Sequence, residues 1–371
     1  MDLSFHPWRP PRADDLRDLS HPADEARAAL EAGRDPRTAL AKPETFKAIC
    51  EEWAEREGAG LRTGEDRKAT LERLAYPTLG DRTLADIRRS DIVRLLDRIE
   101  DESGPVMADQ TLAFIRAVFN WHASRSDDFR SPIVRGMART KPKARARKRT
   151  LADDEIQDVW TALRSADVPA CYPAFVKMLL LTATRRNEAA NMHTAELEGD
   201  LWTIPGARYK AKLDHAVPIT PAALALIGEK PPRANDSWFI FSTSVSGPER
   251  EMECDGAIAF SGFSKAKTEL DKTIAAIRER EGRPPMPRWT LHDLRRTARS
   301  LMSRAKVPTD HAERVLGHVI GGVRETYDRY EYLDEKRHAL EQLARLVDWI
   351  VHRRIISVRL KRVERGVVAN A

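Results

Sequence analysis

The 371-residue chain is too long for one small domain and suits two, with 42% apolar residues to fill cores and 32% charged residues to keep the surface wet. Its 63 basic and 57 acidic residues leave a formal charge of +6, which permits a polyanionic partner without demanding one. No apolar run is long enough to span a bilayer, and the opening MDLSFHPWRPPRADD lacks the basic-then-apolar layout of a secretory signal, so the expectation is a soluble cytoplasmic protein with no membrane partner.

Residues 1 to 42 are rich in Pro, Asp, Arg and Ala, with one short helix expected through DEARAALEAG, ended by Gly33 and the Asp35-Pro36 pair. That segment is too small to fold alone. From Pro43 the pattern turns helical. Phe46, Ile49, Cys50 and Trp53 fall on one face; Ser90 is the expected N-cap of a helix carrying Ile92, Leu95, Leu96 and Ile99; Leu112, Ile115, Phe119 and His122 mark another. The stretch to Met137 therefore reads as a compact helical module. Next comes a basic run from Arg135 to Arg149, with eight basic side chains and no acidic one. Most such runs are solvated linkers, but its place between two folded segments favours a linker that tracks phosphates, through Arg139, Lys141, Lys143, Arg145, Arg147, Lys148 and Arg149.

Beyond Thr150, the sequence LADDEI opens a helix with acidic residues at its positive end, burying Ile156, Val159, Trp160 and Leu163. A second helix, Tyr172 to Leu181, is nearly continuous in apolar residues and belongs in a core. The period then changes to short alternating segments, Leu201 to Ile204 and Ala216 to Ile219, which predict a small antiparallel sheet at the edge of a helical domain. Helices return at Phe263 to Arg280, at His292 to Ala305 and from Asp310. The last apolar stripe, Leu343, Leu346, Val347 and Ile350, could close this domain's own core or dock on a neighbouring subunit. The three cysteines, Cys50, Cys171 and Cys254, lie far apart, and the ten histidines show no HExxH or HxH pairing, so neither a disulfide framework nor a metal site is expected.

Four separated clusters need a common explanation. They are TATRRNEAANM with Arg185; ARYKAKLDHAVPIT with Lys210 on the hairpin; HDLRRTARS with His292 and Arg295 one helical turn apart; and LGHVIGGVRETYDRYEY with His318 and, nine residues on, Tyr327. Each alone is a weak signal. An isolated Arg is usually solvated or salt-bridged, and a lone Tyr is usually a half-buried packing residue. Order and spacing raise the prior.

In that order the clusters closely resemble the tyrosine recombinase (phage integrase) family, over about Pro43 to Arg345. The resemblance implies a mainly α fold with a small antiparallel β-sheet (α+β), divided into a helical core-type DNA-binding (SAM-like) domain at 43–137, a basic linker at 138–149, a catalytic domain at 150–342, and a C-terminal helix with a basic tail at 343–371. It implies a site-specific recombinase that forms a 3′-phosphotyrosyl link on Tyr327 and exchanges strands through a Holliday junction, with no ATP, metal or other cofactor. Arg185 and Arg295 would hold the non-bridging phosphate oxygens, His292 would accept a proton or bind phosphate, His318 would donate to a phosphate oxygen, and Lys210 would protonate the departing 5′ oxygen. Tyr330 is the runner-up nucleophile and Lys212 the alternative lysine. Implied partners are double-stranded DNA attachment sites, a homotetramer on DNA, and an excisionase or host DNA-bending protein.

The sequence departs from the family in three places. Ala183 stands where the family has Gly, which costs little unless φ must be positive. Tyr209 stands where Thr is frequent, and residues 1–42 resemble only the remnant of an arm-binding domain. Competing expectations are a catalytically silent DNA-binding protein derived from an integrase, a type IB topoisomerase, and a metal-dependent nuclease, for which no carboxylate cluster speaks.

Overall fold

The structure, a computed structural model, describes residues 45–141, 147–209, 213–247, 253–318 and 330–368, with side chains as far as 353. The expected DEARAALEAG helix, Lys143, Arg145, Lys210, Lys212 and Tyr327 lie outside the described residues. The chain divides into two compact units between Arg147 and Lys148.

The first unit is helical. Its elements are α1 (Phe46–Arg56), α2 (Gly64–Leu74), the single turn α3 (Tyr76–Leu79), α4 (Arg89–Ser103) and α5 (Pro105–Ala123). Thr45 caps α1 by accepting the Ala48 N–H on its hydroxyl, and the helix buries Phe46, Ile49, Cys50 and Trp53, the stripe its spacing predicts. Ser90 is not the cap of α4. The Asp91 carboxylate takes the Arg88 N–H at 2.8 Å and starts the helix two residues earlier, because a charged acceptor at the positive helix end outcompetes a hydroxyl. Gly104, at φ +84, separates α4 from α5, Pro105 opens α5, and the two helices pack along each other. At the centre of the core, Phe119 meets the Phe46 ring edge-on at 5.7 Å, and Phe46 meets Tyr76 at 6.2 Å.

The second unit contains α6 (Asp153–Ala162), α7 (Tyr172–Thr182), the short α8 (Arg186–Ala190), strands β1 (Leu197–Glu198), β2 (Leu201–Ile204) and β3 (His215–Pro218), and α9 (Pro221–Leu224). These are followed by β4 (Val245–Ser246), β5 (Glu253–Cys254), α10 (Phe263–Arg280), α11 (Leu291–Arg304), α12 (Thr309–Val315) and α13 (Leu333–Val368). The first three strands form one antiparallel sheet in sequence order, with Trp202 opposite Val217 and Ile204 opposite His215. The third strand starts one residue earlier than its alternation predicts, because His215 still pairs with Ile204.

Helix α7 is the centre of this core: Phe175, Val176, Met178 and Leu180 are fully buried, and α11 packs on it. A charged network ties α6 to α10. The buried Asp158 receives Arg278 Nε at 2.7 Å and Arg283 Nη2 at 2.5 Å, so the interior charges are paired. Helix α13 settles the question its stripe left open. Ala339, Leu340, Leu343, Val347 and Ile350 are buried in the unit's own core, against α6, α7, α11, α12 and β3. Among the described residues no helix is long and apolar enough to cross a membrane.

Candidate active site

Helix α7 runs into the site and stops at Ala183, which adopts φ +53. The condition under which Ala would be costly is therefore met: the left-handed turn that Gly enters freely costs Ala roughly 1 kcal/mol. Two residues on, Arg185 caps α8. Glu188 accepts the Arg185 N–H on one oxygen at 2.8 Å and Arg185 Nη1 on the other at 2.5 Å. Glu188 is itself buried, so it holds the arginine rather than facing a substrate. The Arg185 guanidinium also lies over the Tyr209 ring, 5.3 Å from its centre.

Helix α11 supplies the next pair. Its first turn is fixed by Asp293, whose carboxylate takes the Thr290 N–H at 2.8 Å and hydroxyl at 3.0 Å. Arg295 points inward and is only 5% exposed. Its Nη1 donates to the Ala183 carbonyl at 2.5 Å and its Nη2 to the Leu316 carbonyl at 2.6 Å. Both carbonyls lie at helix C-termini, those of α7 and α12, where the partial negative charge of the helix favours a cation. One guanidinium thus joins two loops that the sequence sets far apart. Burial, and then the charge of Arg185, push Arg295 down to about 10, which leaves it cationic at neutrality. His292, one turn earlier, is partly sheltered. That shelter and the charges of Arg296, Arg295 and Arg185 hold its ring below the usual imidazole range, so it stands neutral and able to accept a proton.

The last cluster is built by a helix stop. Gly317 takes φ +58, its N–H bonds to the Arg314 carbonyl at 3.0 Å, and the His318 N–H bonds to the Glu313 carbonyl at 3.1 Å. This paired ending of α12 brings residue 318 back beside residue 313. His318 Nδ1 meets Glu313 Oε2 at 2.6 Å, while its Nε2 faces Arg295 Nη2 at 3.4 Å. Gly317 is also required sterically, because a Cβ there would sit 1.7 Å from the Tyr209 hydroxyl oxygen. That hydroxyl donates to the carbonyls of Gly317 at 3.0 Å and Leu316 at 3.3 Å. His215 stacks on the Tyr209 ring at 4.7 Å and donates from Nε2 to the Val315 carbonyl at 3.2 Å.

Four predicted residues, Arg185, His292, Arg295 and His318, therefore converge through direct contacts or shared charge. Sequence reading missed Tyr209, His215, Arg299 and Glu313, which build the surroundings. Tyr209 was visible only as an odd residue beside Lys210. Glu313 was legible in principle, since a Leu-Gly helix stop makes the residues flanking it neighbours. Among the adjacent arginines, Arg186 lies over the Phe263 ring at 4.6 Å and Arg296 pairs with Asp293 at 2.5 Å.

Two members of the expected phosphate-tracking run are paired with acids of their own units. Arg139 is clamped in the first unit by Asp97 at 2.5 Å and the Val93 carbonyl at 3.2 Å. Arg149 forks onto Glu155 in the second unit at 2.7 and 2.8 Å. Charge-assisted hydrogen bonds hold both side chains, to the exposed Asp97 in one case and to the buried Glu155 in the other. Lys141, Arg147 and Lys148 are exposed. Among the described residues no group of three or more His, Cys, Asp or Glu could hold a metal.

Comparison with known proteins gives two family matches, described as "Phage integrase central domain" over residues 46–149 and "Phage integrase family" over residues 149–336. Among curated proteins, prophage integrase IntA of Escherichia coli K12 is 24% identical over 341 residues, which cover 90% of this chain and 75% of the relative. Prophage integrase IntZ of the same organism is 25% identical over 351 residues, 91% and 81% of the two chains. Among solved structures, a lambda integrase tetramer bound to a Holliday junction aligns with a TM-score of 0.54 at 17% identity, over 82% of this chain and 88% of that one. The Tn1549 transposon integrase in complex with circular intermediate DNA aligns with a TM-score of 0.56 at 14% identity, over 80% and 98%. These likenesses are of fold.

Proposed function

The chain belongs to the phage integrase family, and from that premise we propose that it breaks and rejoins DNA at a specific site through a tyrosyl intermediate on Tyr327. The observation that carries the reading is the seat of Arg295, which ties the Arg185 loop, the His292 helix and the His318 turn into one cationic cradle.

A phosphodiester is anionic and its alkoxide leaving group is poor. Arg185 and Arg295, each with part of its fork already fixed by the protein, present their remaining N–H groups to the non-bridging oxygens and offset the charge that grows in the transition state. Because both guanidiniums are held before DNA arrives, little ordering is left to do at the moment of reaction. A phenol ionises near about 10, so Tyr327 needs a proton acceptor, and the neutral His292 fits that role. Lys210, from the β2–β3 hairpin, protonates the leaving 5′ oxygen. His318 donates to a phosphate oxygen. The phosphotyrosyl ester conserves the bond energy for rejoining. The enzyme acts on double-stranded attachment sites as a homotetramer with Holliday-junction strand exchange, and an excisionase or host DNA-bending protein sets direction. The exposed Lys141, Arg147 and Lys148, with Lys143 and Arg145, neutralise backbone phosphates, while Arg139 and Arg149 anchor the two ends of that linker.

The test is a nicked duplex bearing the core site, located from the direct repeats that bound the integrated element. Wild-type protein traps a covalent adduct, and Tyr327→Phe binds the same duplex without forming one. Binding by the wild type with no adduct would replace this reading with that of a non-catalytic DNA-binding protein.

A further inference from the structure

We infer that Glu313 is a positioning residue for His318: it fixes which ring nitrogen carries the proton and how the ring faces the phosphate. The inference rests on the recombinase reading only for its catalytic consequence, since the pairing itself is a property of the free protein.

Glu313 lies on α12, and its two carboxylate oxygens have two different donors. Oε1 receives Arg299 Nε at 2.7 Å, and Oε2 receives His318 Nδ1 at 2.6 Å. Arg299 sits one turn beyond Arg295 on α11, and Arg295 in turn faces His318 Nε2 at 3.4 Å. The four side chains form a chain of contacts, Arg295–His318–Glu313–Arg299, whose two ends stand one turn apart on α11. Within it every nitrogen of His318 has an assigned neighbour.

The charges impose the protonation pattern. A carboxylate accepts and cannot donate, so Nδ1 must carry a hydrogen. The ionised state of Glu313 is secure: burial works against it, but the hydrogen bonds from Arg299 and His318 outweigh burial and hold the carboxyl below its usual range. Nε2 then points to the Arg295 side of the cradle, where a phosphate oxygen would lie. With Nδ1 committed to Glu313, Nε2 is the ring atom left to meet that oxygen, and the Glu313 carboxylate stands behind the ring as a counter-charge.

The backbone explains why the partner is residue 313. The α12 stop bonds the His318 N–H to the Glu313 carbonyl, so the same turn that delivers the histidine delivers its carboxylate, whatever the side chains do. Helix stops of this kind frequently carry an apolar contact between these two positions; here the contact is a hydrogen bond to a carboxylate, made by a residue of the candidate site.

Glu313→Gln separates the possibilities, because an amide has one acceptor oxygen for two donors. Imidazole 15N resonances of the DNA-free protein, assigned with a His318→Gln variant, read the ring directly. The expected result is a His318 Nδ1–H in the wild type and in Arg299→Gln, and loss of that preference in Glu313→Gln. On the nicked duplex, Glu313→Gln is expected to slow adduct formation roughly ten- to hundred-fold with DNA affinity kept, with Glu313→Asp recovering part of the loss. An unchanged His318 spectrum, or an unchanged adduct rate in a folded Glu313→Gln protein, overturns the inference. If wild-type protein forms no adduct at all, the recombinase reading fails, and the nitrogen spectra still decide the pairing.

Discussion

At the scale of single residues, Arg295 carries two loads. It is proposed to bind phosphate, and it satisfies the Ala183 and Leu316 carbonyls. Arg295→Ala strands both acceptors in a buried place, at about 1–3 kcal/mol each, so the variant is expected to lose about 3 kcal/mol in urea unfolding besides its cleavage activity. His292 makes a different kind of claim. Its ring is held below the usual imidazole range by burial first and Arg296 second, so it keeps its accepting lone pair as pH falls past the point where a free imidazole would protonate. The acid limb of adduct formation therefore lies below that of an ordinary histidine. Arg296→Gln removes one of the charges responsible and is expected to move the limb to higher pH. A pH profile of single-turnover adduct yield checks the sign. A shift to lower pH would remove His292 from the role of acceptor.

At the scale of elements, the two helices that matter are both ended by a left-handed residue, Ala183 after α7 and Gly317 after α12. The second is the stricter. A methyl at Gly317 meets the Tyr209 hydroxyl at 1.7 Å and the ring carbon beneath it at 2.8 Å. Gly317→Ala is expected to destabilise by at least about 2 kcal/mol and to abolish adduct formation. Adding Tyr209→Phe removes the first clash and leaves the second, so the double variant should recover part of the stability; additive losses would mean the clash is not what costs. Much of this layer was legible beforehand. The apolar stripes of α1, α5, α6 and α7 were read from period alone, and α10 matches its expected span residue for residue. What escaped was local competition: Asp91 overrode Ser90 as the start of α4, and pairing with β2 shifted β3 one residue toward the N-terminus. Order and spacing singled out Arg185, His292, Arg295 and His318 as candidates, which the fold brings near one another, but their supports could not be read that way. Arg295 reaches residues 112 and 21 positions away, and periodicity holds no record of such bonds.

At the scale of the whole molecule, the basic linker separates two kinds of arginine and lysine that composition treats alike. Lys141 and Lys148 are exposed, whereas Arg149 is folded onto Glu155. Lys141→Ala and Lys148→Ala should each weaken DNA binding for every sequence and lower the salt dependence of the binding constant by about one unit. Arg149→Ala should leave that slope nearly intact and instead cost about 1–3 kcal/mol, because Glu155 keeps its sheltered place without its partner. Salt titrations of binding alongside thermal melts distinguish the two patterns, and an equal fall in slope for all three would place Arg149 on the DNA after all.

The seat of Arg295 also bears on how the protein is made. A growing chain that has emerged only through α11 already carries Arg185, His292 and Arg295, yet it lacks the Leu316 carbonyl that fixes the guanidinium. Synthesis runs from the N-terminus, so the cradle closes only after α12 has left the ribosome, and Tyr327 follows nine residues after His318. On the proposed reading, a chain stopped before α12 carries three residues of the cradle without the carbonyl that seats Arg295 and without the nucleophile.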